Sequence, residues 1–351
     1  MSKLPASSEI HLPAEWEPQA FLQLTFPHAK SDWETMLDEV IVCFVELISV
    51  AARFQSVLVV CDDVARVKSF FKTTQNIHFI QIASNDTWAR DHGGITVLNN
   101  DKAVIQDYIF NGWGNKFDAG LDNQITQKLF EKGAFENCIH ETFDFVLEGG
   151  SIESDGNGTI LTTSKCLFER NRNPHCSKAE IEATLKQNFG AQKVLWLEYG
   201  YLAGDDTDSH IDTLARFCDA NTIAYVGCNN PEDEHFEALR QMKKQLQSFT
   251  NVDGKPYRLV ELPMPDACFD SEGNRLPATY ANFTIINGAV LVPVYGLPQD
   301  ETALKILAAC FHDRQIIPVN CRVLIEQHGS LHCVTMQYPK PVRLNIKMIE
   351  T

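Results

Sequence analysis

Short apolar, β-branched runs alternate with capped helical segments along nearly the whole chain, and few architectures accept that rhythm. Ser31 and Glu34 read as a capping box. Trp33, Leu37, Val40, Ile41, Phe44 and Ile48 then fall on one helical face. A strand over 57–61, a helix over 64–72 and a strand over 77–82 follow. Ser177 and Glu180 form a second capping box, with Gly190 as the helix stop. Strands are expected over 194–197 and 222–226, and Pro231 opens a helix to about 246. Asn287-Gly288 divides two β-prone runs as a hairpin turn in which both residues need positive φ. A helix over 300–310, an extended run over 316–319 and a strand over 331–337 close the pattern. The expected class is α/β. No Pro/Gly/Ser linker divides the 351 residues, so the chain reads as one domain, 1–351.

Composition excludes several functions. Forty-six acidic against 30 basic residues give a net charge of −16, with no basic stripe for a nucleic acid. Charges break the longest apolar runs too soon to cross a bilayer. The first nine residues lack the apolar core of a signal peptide, and a cytoplasmic protein is expected. Eleven dispersed cysteines without a CxxC pair imply reduced thiols, with Cys43, Cys61, Cys218, Cys228 and Cys310 in the core. No dinucleotide or P-loop signature occurs, and no cofactor is expected.

Four polar clusters carry the chemistry. His332-Cys333 follows a tight Gly329-Ser330 turn and offers a nucleophile. His210-Ile211-Asp212, read as extended, points an imidazole and a carboxylate to one face. Trp88-Ala89-Arg90-Asp91 offers a carboxylate for a guanidinium, or a local Arg–Asp ion pair. Leu147-Glu148-Gly149-Gly150 puts a carboxylate at a strand end. Trp113, in the loop Asn111 to Phe117, is a candidate pocket wall beside Trp88. Asp205 and Asp206 read as a solvated acidic turn, and Asp155-Gly156-Asn157-Gly158 as a turn. Asp208, His210 and Asp212 could instead bind a metal and activate water.

Together these segments resemble the agmatine deiminase family, which includes the bacterial type of peptidylarginine deiminase. The resemblance runs from Leu12-Pro13-Ala14-Glu15-Trp16-Glu17-Pro18 through Asn171-Arg172-Asn173-Pro174 and Tyr280-Ala281-Asn282-Phe283 to His332-Cys333-Val334-Thr335. It implies the pentein fold, five ββαβ-like units in a pseudo-fivefold α/β propeller. It also implies Cys333 as nucleophile, His210 as acid/base, Asp91 and Asp212 as guanidinium ligands, and Glu148 as an assisting carboxylate. The implied reaction is metal-free hydrolysis of agmatine to N-carbamoylputrescine and ammonia through an amidino-cysteine. A cationic His210 would favour the thiolate, whereas Asp91 and Asp212 oppose it in the empty site. Peptidyl-arginine is the alternative substrate, and a non-catalytic binder of cations or a homo-oligomer stays open. His328-Gly329-Ser330 stands where the family often has three glycines, Gly93-Gly94 where Gly-Pro is common, and Tyr295-Gly296-Leu297 where Phe-Gly-Asp is common.

Overall fold

A computed structural model describes residues 10–100 and 102–349. The first nine residues, and with them the reading of the N-terminus, lie outside that set. Among the described residues, five mixed sheets repeat one plan: an antiparallel pair, then a helical crossover, then a parallel strand. The first holds Ile95–Asn99, Lys102–Ile109 and Cys138–Val146, with the helix Ile125–Glu131 before its last strand and Ile10–His11 added at the edge. The second is Ile152–Ser154, Thr159–Thr163, the helix Lys178–Phe189 and Lys193–Leu197. The third is Ala215–Asp219, Thr222–Val226, the helix Phe236–Ser248 and Arg258–Leu262. The fourth is Thr284–Ile286, Ala289–Val294, the helix Asp300–Ala308 and Gln315–Asn320.

The fifth sheet joins the two ends of the chain. Met336–Pro339 pairs antiparallel with Gln19–Thr25, and Ser56–Cys61 and Ile77–Gln81 complete it after the helix Leu37–Ala51. The central strand Ser56–Cys61 reads as a near-continuous apolar run because both its faces are covered, with Val57, Leu58, Val59 and Val60 buried.

Local chemistry explains where the elements start. Ser177 and Glu180 make the expected capping box, and Gly190 ends that helix at φ 67°. Ser31 and Glu34 do not: Ser31 Oγ donates to the His28 carbonyl, and the helix starts only at Leu37 after a 3₁₀ turn. Its apolar face packs as read, with Trp33, Val40, Ile41, Phe44 and Ile48 buried. Pro231 opens a turn, and Asp233 then holds the His235 amide before the helix begins at Phe236. The helix after Asp63 is short, Val64–Lys68.

The hairpin at Asn287-Gly288 forms with Ile286 opposite Ala289, but only Gly288 takes positive φ. Asn287 is fixed otherwise, accepting from the Gln19 amide at 3.0 Å and donating to its carbonyl at 2.8 Å. That pair ties the fourth sheet to the fifth. Asn287→Ala should lower stability in urea unfolding by about 1–3 kcal/mol, since both Gln19 backbone groups lose their partner.

Candidate active site

Each sheet sends one or two residues inward from the same place, the few residues before its first strand. Asp91 lies on the short helix Ala89–His92 ahead of Ile95–Asn99, and Gly150 on the turn Gly149–Ser151 ahead of Ile152–Ser154. His210 and Asp212 precede Ala215–Asp219, Asn282 precedes Thr284–Ile286, and Cys333 precedes Met336–Pro339. Strand ends from one plan thus converge on one buried space.

Two local readings need correction. Residues 331–334 form a turn rather than a strand, because Asn282 Oδ1 accepts from the His332 amide at 2.9 Å and the Thr335 hydroxyl donates back to the His332 carbonyl at 3.0 Å. His210 and Asp212 do not alternate on a strand either, since Ile211–Thr213 is a 3₁₀ turn with Thr213 Oγ1 donating to the His210 carbonyl. Both side chains are nevertheless buried in the site.

A methyl group built on Gly150 would lie 2.6 Å from His210 Nδ1, 2.8 Å from Asp91 Oδ1 and 3.1 Å from Asp212 Oδ2. That one point shows how closely the imidazole and two carboxylates meet, and why only glycine fits. Asp91 Oδ1 accepts from the Gly150 amide at 2.9 Å and Oδ2 from Trp113 Nε1 at 3.0 Å. Trp113 reaches it from a left-handed backbone, φ 55° and ψ 49°. Asp212 Oδ2 accepts from His332 Nδ1 at 2.7 Å, while Oδ1 has no partner. Both nitrogens of His210 are also unpartnered, although Nδ1 lies 3.6 Å from Asp91 Oδ1. Asp212 Oδ1 and the two His210 nitrogens are thus buried polar atoms that no protein group serves.

Cys333 Sγ sits 3.4 Å from Asn282 Oδ1 and 4.0 Å from Asp212 Oδ2. Burial, then the charges of Asp212 and Asp91, push this thiol well above its ordinary range. Burial and the neighbouring Asp212 and Glu148 likewise raise Asp91 well above the carboxylate range. Burial would lift Asp212 too, but the hydrogen bond and charge of His332 carry it below that range. Burial pushes His210 down to about 3, so it is neutral in the empty site and not the expected cation. Glu148 is raised by burial against the pull of Arg172, whose Nε donates to its oxygens at 2.8 and 3.0 Å.

The metal reading does not hold. Asp208 turns away from Asp212, and its Oδ2 accepts from Arg172 Nη1 and Lys116 Nζ, each at 2.8 Å. Among the described residues the compact groups of ligand atoms are Glu148/Cys166/His210 and Glu15/Glu153/His332. A guanidinium already serves each: Arg172 for Glu148, and Arg216 for both Glu15 and Glu153. Arg90 makes no ion pair with Asp91; its Nη1 faces Met336 Sδ at 3.6 Å. Asp205 is not simply solvated, as it accepts from Thr207 and Ser209 within its own loop.

A cavity of about 270 Å³ leads from Cys333 to the surface between Trp88 and Trp113. Gly329 is required there, because a Cβ would fall 2.1 Å from a Trp88 ring carbon. The two departures near the nucleophile compensate each other, with Ser330 Oγ 2.9 Å from Tyr295 OH. Asn282, Gly150, Arg172, Glu15 and His332 were not singled out as site residues from the sequence, although all lie in the resembling segments.

The sequence matches the profile of the Porphyromonas-type peptidyl-arginine deiminase over residues 11–339. The chain belongs to that family. An agmatine deiminase of Pseudomonas syringae pv. tomato is 31% identical, over 98% of this chain and 99% of its own. A Porphyromonas gingivalis structure, described provisionally as an arginine deiminase, is 50% identical with a TM-score of 0.91, covering 95% of this chain and 99% of that one. A cysteine-to-serine variant of C. jejuni agmatine deiminase with substrate bound is 41% identical with a TM-score of 0.91, covering 97% and 99%. These deiminases share the α/β architecture of mixed sheets. Among the described residues no helix is long and apolar enough to cross a membrane.

Gly150→Ala should lower stability in urea unfolding by about 1–3 kcal/mol and cut turnover of any guanidine by about 100-fold, because the methyl displaces the groups that would hold the reacting carbon.

Proposed function

We propose that the chain is an agmatine deiminase, a hydrolase that cleaves a guanidino C–N bond of agmatine to give N-carbamoylputrescine and ammonia. The carrying observation is the meeting of Asp91 and Asp212 around Gly150 in the buried space beside Cys333, with Asp212 Oδ1 served by no protein donor. A planar guanidinium supplies N–H donors to Asp212 Oδ1 and Asp91 and sets its carbon over the sulfur. Its positive charge opposes the burial and neighbouring negative charge that raise Asp91 and the Cys333 thiol, so both become easier to ionise. Cys333 passes its proton to neutral His210 as sulfur attacks the carbon. His210 returns that proton to the departing nitrogen, ammonia leaves, and an amidino-thioether remains. His210 then takes a proton from water as the oxygen attacks, and the thiol is restored with the ureido product. Glu148, held by Arg172, steadies this polar set, and Trp88 and Trp113 wall the entry.

The outer end of the cavity favours agmatine over free arginine. Asp32, Asp86 and Asp122 line it together with Lys30, and this acidic excess suits a terminal ammonium better than an α-carboxylate. Asp86 Oδ2 accepts from Trp88 Nε1 at 3.0 Å, while its buried Oδ1 has no partner. Burial and the charge of Asp32 push Asp86 up to about 7, and burial, with the charge of Asp86, pushes Asp122 up to about 8. Both acids therefore ionise as pH rises through that window, and affinity for a dication rises with them.

We further read the five similar sheets as the five ββαβ-like units of a pentein, arranged about a pseudo-fivefold axis through the site. Residues 1–351 then form one catalytic domain, supported by the pairing of Met336–Pro339 with Gln19–Thr25.

Ammonia and ureido product should form faster from agmatine than from free arginine or an arginyl peptide, and Cys333→Ala should abolish both products. Preference for the peptide would replace agmatine as the substrate. Asp86→Asn should raise KM for agmatine about tenfold while leaving KM for butylguanidine, which lacks the amine, within about twofold. Equal effects on both would remove Asp86 from the distal end.

A further inference from the structure

His332, the residue before the nucleophile, is 1% exposed and lies between two carboxylates. Its Nδ1 is 2.7 Å from Asp212 Oδ2, and its Nε2 is 2.9 Å from Glu15 Oε2. An ionised carboxylate only accepts hydrogen bonds, so both ring nitrogens must donate, and the ring must carry both protons. Glu15 is fixed as an anion by Arg216, and its Oε1 accepts from the Ile285 amide at 2.6 Å. Arg216 in turn joins Glu153. Arg90 completes the surroundings, with its Nε 3.5 Å from the His332 carbonyl. With Asp212 ionised, Arg90 and Arg216 leave one negative charge among the buried Glu15, Glu153 and Asp212 uncompensated, and an imidazolium at His332 balances it.

We propose that His332 is a positioning residue of the reaction: as a buried imidazolium bridging Glu15 and Asp212, it keeps Asp212 ionised with Oδ2 engaged and Oδ1 turned to the substrate guanidinium. The same bridge carries the N-terminal segment around Glu15 into the active site, 317 residues away in sequence. A neutral side chain at 332 leaves Asp212 buried beside Asp91 without its cation. Asp212 then takes up a proton at higher pH, and guanidinium binding weakens in acid. The asymmetry of the two acids also follows. Asp91 faces only neutral donors, Trp113 and Gly150, whereas Asp212 has a cation at its back.

The inference rests on the deiminase reading for its kinetic consequence, but not for its ionisation state. In His332→Gln the amide can still reach Glu15 but not Asp212. Its kcat/KM for agmatine should fall about 100-fold, chiefly through KM, and the acid limb of the pH profile should move up by about one unit or more. His332→Asn keeps a donor near Asp212 and should lose about tenfold less. A uniform loss at every pH, with the limb unmoved, would reduce His332 to a packing role and overturn the proposal. Nitrogen NMR of ring-labelled histidines in the wild-type protein needs neither variant nor turnover. At about pH 7.5 one of the 11 rings should be protonated at both nitrogens and protected from solvent. Finding no such ring would overturn the proposal even if agmatine is turned over, whereas an inactive protein that shows the ring would overturn only the deiminase reading.

Discussion

Asp91 and Asp212 meet, both buried, around Gly150, and two carboxylates so placed cannot both stay charged without a cation. The site resolves the conflict asymmetrically. Asp212 keeps its charge through His332, and Asp91 is driven toward its protonated form. The same acids and the same burial hold Cys333 as a thiol, whereas burial, against the opposite pull of Asp212, keeps His210 a neutral imidazole. Asp91 and Cys333 are therefore the two groups whose ionisation a neighbouring positive charge would favour. A guanidinium supplies it, so binding itself sets the ionisation that the chemistry needs.

The scaffold makes this convergence possible by repetition. Each of the five sheets delivers its functional group from the turn before its first strand, so five short segments far apart in sequence end at one place. The joining of Met336–Pro339 to Gln19–Thr25 matters most, because it brings Cys333 beside the segment carrying Glu15. Buried arginines then match the acids that the convergence crowds together. Arg172 answers Glu148 and Asp208, and Arg216 answers Glu15 and Glu153. Removing one partner of such a pair strands a buried charge, which typically costs about 3–5 kcal/mol.

Much of this was legible in the sequence where the signal is local. The capping box at Ser177, the αL stop at Gly190 and the hairpin at Asn287-Gly288 depend on neighbours a few residues away. Cys333, Asp91 and Glu148 are legible because reactive side chains lie close to glycines or aromatic residues in short motifs, and His210 and Asp212 because an imidazole and a carboxylate stand two residues apart. Readings failed where a distant contact overrode local preference. Ser31 bonds the His28 carbonyl instead of capping, Cys333 sits in a turn pinned by Asn282, and Asn287 is fixed by Gln19 rather than by positive φ. The network of Glu15, His332 and Arg216 has no local signature, since its members are up to 317 residues apart.

The central claim is that a bound cation, and not the empty protein, activates Cys333. Alkylation by a haloacetamidine, which carries a guanidinium-like charge, against neutral iodoacetamide tests it most directly, with the first labelled thiol mapped by mass spectrometry. The account predicts that the cationic reagent labels Cys333 first among the 11 cysteines, at least about tenfold faster than the neutral one. Equal rates for the two reagents, or first labelling at another cysteine, would contradict it.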